Sequence, residues 1–281
     1  MVLIIKQAFS IFVKLYTCTL FNILKMHLTD THTHLFATEF DSDRDAMLQR
    51  ALDKGIDRFY LPNIDAESIT PMLAMCNAYP GKCFAMMGLH PCSVFADFEK
   101  QLQWVKEWLD TQKFYAVGEI GIDLFHDVTF KEQQKIAFRT QVQWAKEKGL
   151  PVVIHCRNSF NEVMEIIEHE KDERLKGIFH CFSGSAEDAK RIMELKSFKM
   201  GIGGTVTYKN STLPQVLKDV PLSYIVLETD SPYLTPVPFR GKRNESAYIY
   251  YVADKVSDIY EMSVEKIAEI TTANAVEVFN N

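Results

Sequence analysis

His27-Leu28-Thr29-Asp30-Thr31-His32-Thr33-His34 is a short apolar run that ends in two histidines spaced two apart. Extended backbone sends alternate side chains to one face, so His32 and His34 share a side, with Asp30 below them. An isolated His-x-His is more often a polar pair in a loop than a metal site, so its meaning depends on whether the chain repeats the pattern. It does. Further short runs lie at Arg58 to Pro62, Cys83 to Leu89, Tyr115 to Ile120, Pro151 to Cys156, Gly177 to Phe182, Phe198 to Gly203 and Ser223 to Glu228, making eight with the first. Between them fall segments of helical periodicity, among them Asp43 to Lys54, Phe98 to Thr111, Phe130 to Lys148, Asn158 to Lys171 and Ala186 to Leu195. Glu245 to Tyr260 and Ser263 to Phe279 close the chain with helix. Eight strand-like runs alternating with longer helical ones predict α/β class, and a closed (β/α)8 barrel of TIM type better than an open sheet.

Composition agrees with a single domain. A chain of 281 residues with 47% hydrophobic residues can bury one large core. Pro and Gly cluster at turns, and no linker or low-complexity stretch divides residues 26–281. The net charge of -6 argues against sequence-independent wrapping of duplex nucleic acid, which needs a broad basic surface. A nucleic-acid substrate held at bound cations stays open, because the ions supply positive charge locally. Cys18, Cys76, Cys83, Cys92, Cys156 and Cys181 contain no Cys-x-x-Cys pair and are too sparse for a disulfide framework, which points to the cytoplasm. Cys156 and Cys181 each follow a histidine; on a strand they point away from it, toward the helices. Residues 1–25 stand apart. They are apolar from Ala8 to Leu24 but broken by Lys14, and short of a clean membrane span. An upstream start ahead of Met26 is the favoured reading, over an extra amphipathic helix or a poor anchor.

Metal-type residues recur at strand ends. Glu119 stands in Val117-Gly118-Glu119-Ile120-Gly121-Ile122-Asp123, His155 ends Val152-Val153-Ile154-His155, His180 ends Ile178-Phe179-His180, and Asp230 follows Leu227-Glu228-Thr229. In a parallel barrel all C-terminal strand ends meet at one rim, so these residues converge on His32 and His34. Imidazoles and carboxylates suit Zn, Mn or a related divalent ion, and a carboxylate such as Glu119 can bridge two of them. At the same rim, His90, Arg157, Lys242 and Arg243 are candidate substrate-binding residues, with Arg240 and Lys209 nearby; Arg and Lys there can grip phosphate without reading bases. The competing reading of each basic residue is a solvated surface charge. Asp123 is expected to orient a neighbour, while His27, His126 and His169 look incidental. Phe125, Phe182, Tyr208 and Tyr233 fall in strand-end loops where a base could stack. Phe98, Trp104 and Trp108 recur at helical spacing and read as core.

From Met26 to Phe279 the chain resembles the TatD family of metal-dependent deoxyribonucleases, within the amidohydrolase-like barrels. The marks are Asp30-Thr31-His32-Thr33-His34, Gly88-Leu89-His90-Pro91, Gly118-Glu119-Ile120-Gly121-Ile122-Asp123, Ile154-His155-Cys156-Arg157, His180-Cys181-Phe182-Ser183-Gly184, Glu228-Thr229-Asp230-Ser231-Pro232-Tyr233-Leu234 and Arg240-Gly241-Lys242-Arg243-Asn244-Glu245. One departure is Ser246, where the family usually has proline. The resemblance implies two divalent cations (Mg, Mn or Zn), one held by His32, His34, Glu119 and Asp230, the other by Glu119, His155 and His180. It implies that Glu119 and Asp230 are catalytic, Asp230 as acceptor of the proton of the attacking water. It also implies a DNA substrate, single-stranded and digested from the 3′ end; a monomer with no membrane or stable protein partner is expected. Two other readings compete: the same metals acting on another ester or amide bond, for example in D-aminoacyl-tRNA deacylation, and a non-catalytic binding barrel. The absence of a lysine at the fourth strand end, where amide and triester hydrolases often carry a carboxylated one, favours the nuclease branch.

Overall fold

The computed structural model describes residues 26–280. The apolar stretch of residues 1–25 lies outside the described residues. Eight parallel strands form in chain order: β1 (Leu28–Asp30), β2 (Ile56–Pro62), β3 (Cys83–Met86), β4 (Val117–Asp123), β5 (Val152–Arg157), β6 (Gly177–Phe179), β7 (Phe198–Ile202) and β8 (Ile225–Leu227). The described α-helices are α1 (Arg44–Asp53), α2 (Ile69–Ala78), α3 (Phe98–Thr111), α4 (Lys131–Lys148), α5 (Phe160–Glu170), α6 (Ala186–Glu194), α7 (Leu213–Leu217), α8 (Ile249–Tyr260) and α9 (Val264–Phe279). None of the described helices is long and apolar enough to cross a membrane.

Each predicted strand is present, and α3 has the bounds its periodicity implies. Absent from the helices read in the sequence are α2 and α7, which carry Pro71 and Pro214 in their first turns. Proline there removes an N–H that has no intrahelical partner anyway, so it starts a helix instead of breaking one.

Ladders join β1 to β2 and β3, and β4 through β8 in order. The first gap is closed by Met87 N–H donating to Ala116 O at 3.1 Å and Gly118 N–H to Met87 O at 3.0 Å. The second is closed by Thr31 N–H donating to Leu227 O at 3.1 Å. Eight strands thus make a closed barrel. Its lower interior is apolar: Tyr60, Met86, Val153, Ile178 and Val226 pack with Val278 and Phe279 of α9. The Phe279 ring stacks on Tyr60 at 3.6 Å between centroids, so the last helix plugs the end opposite the strand C-termini.

Two local features position the upper end. The register of β4 on β5 shifts between Val117 and Ile120. One extra residue there reverses the strand's phase, bringing Glu119, Gly121 and Asp123 onto the side of the barrel that His155 faces. The seam between β1 and β8 is tied by Asp30, which is wholly buried and accepts from Thr229 N at 2.9 Å, Thr229 Oγ1 at 2.6 Å and Ser246 Oγ at 2.6 Å. Burial pushes the Asp30 carboxyl up to about 7, against these hydrogen bonds. A proline could make no such side-chain bond, so Ser246 adds a third donor to the seam.

Candidate metal centre

Five side chains from four strand ends gather around Glu119 of β4. Its Oε2 lies 3.2 Å from His32 Nε2 and 3.9 Å from His34 Nε2. Asp230 Oδ1 completes that side, 3.3 Å from His34 Nε2 and 3.6 Å from His32 Nε2. The other oxygen, Oε1, lies 2.9 Å from His155 Nδ1 and 2.8 Å from His180 Nε2. One carboxylate therefore faces two donor sets, one with each oxygen. The sequence grouping of His32, His34 and Asp230 against His155 and His180 corresponds to this division.

The donors fit cations. Among the described residues, both ring nitrogens of His32, and Nδ1 of His34 and of His180, are buried without a hydrogen-bond partner. Unpaired buried polar atoms are costly and call for a ligand. The His32 and His180 rings stack at 3.9 Å with 13° between planes, an arrangement two unpaired imidazoles gain little from unless something else fixes them. Burial would raise the Glu119 carboxyl, but His180, His90 and His32 around it overcome this and hold it well below the ordinary range. Burial likewise opposes charge on His180 and is outweighed by Glu119 and Glu228, so its imidazolium persists well above 6.5. His155 is raised in the same sense, against burial, by Asp123 and Glu119. His32 moves the other way, lowered by burial and by the charge of His180. In the metal-free protein, protons occupy part of the space that cations would take.

Two carboxylates behind the cage aim its histidines. Asp123 Oδ2 accepts from His155 Nε2 at 2.9 Å, which turns Nδ1 toward Glu119. This is the orienting role the sequence suggested for it. Glu228 was missed. It is fully buried, accepts from Cys181 N at 2.6 Å with Oε1, and brings that oxygen to 3.4 Å from His180 Nδ1. The available signal was a carboxylate at the residue directly after the eighth strand, which ends at Leu227. Gly201 makes room for it: a Cβ there would meet Glu228 Oε2 at 2.1 Å.

His90 enters the cage from the loop after β3. Its Nδ1 accepts from Cys92 N at 3.1 Å, so Nε2 carries the proton, 3.3 Å from Glu119 Oε1. That loop is pinned by buried Gln141 of α4, whose Oε1 accepts from Leu89 N at 2.7 Å. Gln134, two turns earlier on the same helix, accepts from Asp123 N at 2.8 Å, so one face of α4 holds two rim segments.

The basic candidates separate. The Arg157 guanidinium lies 4.0 Å over the Phe125 ring, which is 57% exposed at the rim. Arg240 lies 4.0 Å over Tyr208. Lys242 and Arg243, expected at the mouth, instead line a cleft with Arg50 of α1, Lys54 just after that helix and Tyr251 of α8, and no cage residue lines that cleft. Arg243 donates to both oxygens of Asp43, at 2.6 and 2.9 Å, and to Glu39 O at 2.8 Å. Its donors brace the loop after β8 to α1 and leave little for phosphate. Phe182 is only 5% exposed and packs in the core, so its ring is no open stacking surface; Tyr233 is half exposed beside His34. His27 pairs with exposed Asp57 and His169 with Glu170, both away from the cage.

The sequence profile of the TatD related DNase family matches residues 29–280, nearly the whole chain. The chain belongs to the TatD family. Among its relatives, the metal-dependent hydrolase YabD of Bacillus subtilis (strain 168) is 41% identical over 253 residues, covering 90% of this chain and 98% of YabD. The metal-dependent hydrolase YjjV of Escherichia coli (strain K12) is 32% identical over 255 residues, covering 89% of this chain and 97% of YjjV. The crystal structure of YjjV, a TatD homologue, superposes with a TM-score of 0.86 at 31% identity, covering 92% of this chain and all of that one. A TatD-family hydrolase from Entamoeba histolytica, with a TM-score of 0.76 at 23% identity over 90% of this chain and 98% of that one, shares the fold. The protein is thus a TatD-family metal-dependent hydrolase on a closed (β/α)8 barrel.

In a TatD-family hydrolase with this cage, Asp123→Asn should weaken binding of a cation at His155 by about 10–100-fold, because the amide no longer fixes the imidazole tautomer. Calorimetric titration of the metal-free variant checks this. Binding as tight as in the wild type would remove Asp123 from its orienting role.

Proposed function

We propose that this protein hydrolyses phosphodiester bonds of single-stranded DNA, working from the 3′ end, with two divalent cations held at the barrel mouth. The observation that carries the reading is Glu119, whose two oxygens face separate donor sets: His32, His34 and Asp230 on one side, His155 and His180 on the other. Held by these residues, two cations would supply Lewis acidity for an attacking water and charge neutralisation for phosphate oxygens.

The chain's own groups do the rest. Asp230 is held below the ordinary carboxylate range, where His34 and the charge of His180 outweigh its burial, so it is ionised and able to accept the proton of the attacking water. His90, with Nε2–H directed into the cage, is placed to donate to a phosphoryl oxygen. Arg157 at the rim is placed to hold the next phosphate, and exposed Phe125 beneath it offers a face for an unstacked base. Deacylation of an aminoacyl-tRNA, or hydrolysis of another ester or amide, would use the same cage and is the main alternative.

The test is to strip the protein of metal and offer it labelled single-stranded DNA, RNA, and small ester and amide substrates, restoring Mg, Mn or Zn in turn. Shortening of DNA from the 3′ end, only after a cation is restored, is the expected result. Activity confined to the esters or amides would overturn the nuclease reading. Cation affinity should also fall as the solution is acidified, because His155 and His180, whose pKa values are raised, retain protons that binding must displace.

A further inference from the structure

We propose that Cys92, Asp123 and His126 form a further divalent-cation site beside the cage, selective for a thiolate-binding ion such as Zn2+ or Co2+. The inference concerns metal binding and stands or falls apart from the nuclease reading.

Three segments bring the donors together. Cys92 lies in the short turn Pro91–Ser93 after His90, Asp123 ends β4, and His126 follows in the loop to α4. One ligand atom from each lies within 4.8 Å of the others. His126 Nδ1 is 2.9 Å from Asp123 Oδ2 and 3.8 Å from Cys92 Sγ. An ion pair between His126 and Asp123 would by itself account for the first contact, but it gives no reason for a thiol on the third side. The second observation is the space they face. A small cavity of about 80 Å³ is lined by all three donors and by a second carboxylate, Asp127, with Phe95 and Phe130 among its walls. That is room for one cation with a water, or with Asp127, in the fourth position of a tetrahedron.

The donor set distinguishes this site from the cage. Thiolate with imidazole favours Zn2+, Co2+ or Cu over Mg2+ and Mn2+, which prefer oxygen. On binding, the Cys92 thiol gives its proton to solvent and forms one S–metal bond; no electrons are transferred. The site also touches the cage through one atom. Asp123 Oδ1 accepts from the backbone of Phe125 and His126, leaving Oδ2 to serve both His155 and the new cation. Filling it draws Oδ2 from His155, so a cation here and one at His155 weaken each other by the same factor.

The experiment uses the whole protein with its cage loaded with two equivalents of Zn2+, titrated with Co2+. A near-ultraviolet sulfur-to-cobalt charge-transfer band saturating at one further equivalent is expected. Alkylation of Cys92, followed by peptide mass spectrometry, should slow about tenfold or more as the band develops. Cys92→Ser should abolish the band and His126→Ala should weaken it, and both positions are exposed, so neither change threatens the fold. If the band persists in Cys92→Ser, or Cys92 alkylates at the same rate with and without Co2+, the proposal is overturned.

Discussion

Glu119→Ala is expected to reduce metal-dependent hydrolysis at least about a thousandfold, equivalent to about 4 kcal/mol of transition-state stabilisation. Glu119 is the only described side chain whose two oxygens separately face both histidine groups of the cage. Without it the donors that remain on one side are His32, His34 and Asp230, and on the other His155 and His180, with nothing shared between them. Metal content, read by elemental analysis after dialysis, should drop with activity. The fold should survive, because the cage lies above the apolar core that Tyr60, Val153 and Phe279 fill. A circular dichroism spectrum and melting transition close to wild type would document that. Hydrolysis at the wild-type rate would dissolve the bridging assignment, whichever substrate the enzyme takes.

Gly121→Ala should be as damaging, but to the fold. Gly121 has φ +151°, and an added Cβ would sit 1.9 Å from the carbonyl oxygen of His155 and 2.8 Å from its carbonyl carbon. Neither atom can yield, since both belong to the neighbouring strand's backbone within the β4–β5 ladder. A loss of about 4 kcal/mol or more in urea unfolding is expected, in the range reserved for backbone clash and special dihedrals. Gly81→Ala is the control: its φ is +74°, but nothing lies within 4 Å of the added atom, so the cost should be only about 1–2 kcal/mol, from dihedral strain. Equal stability of Gly121→Ala and wild type would mean that β4 follows another path beside His155.

Both substitutions bear on what the sequence makes legible. Strand-end residues announce themselves because packing alone gives a short apolar run no reason to terminate in His, Glu or Asp time after time. His32, Glu119, His155, His180 and Asp230 are all of this kind, and the structure brings them within reach of one another. Glu228 escaped because a buried carboxylate one step below the rim looks, in a linear string, like part of the strand. The register shift in β4 is invisible to alternation, which would have put Glu119 and the residues before it on a single regular phase. Loops were the weakest ground. Lys242 and Arg243 follow strand eight in sequence, yet the chain between Ser231 and Asn244 is long enough to carry them to α1, where Asp43 captures Arg243. His126 looked incidental because Cys92, 34 residues away in sequence, comes beside it only in the fold.

The seam that Asp30 ties between β1 and β8 has a kinetic consequence. Asp30 and Thr229 are separated by nearly the whole barrel, and so are His32 and Asp230, which flank them. Such distant pairings are entropically expensive to close and come late when a chain collapses. Nascent protein leaving the ribosome would carry only fragments of the binding site until its final strand arrived. The donor set of His32, His34 and Asp230 is therefore complete only when the barrel closes, and loading a cation on that side is a finishing step that follows folding.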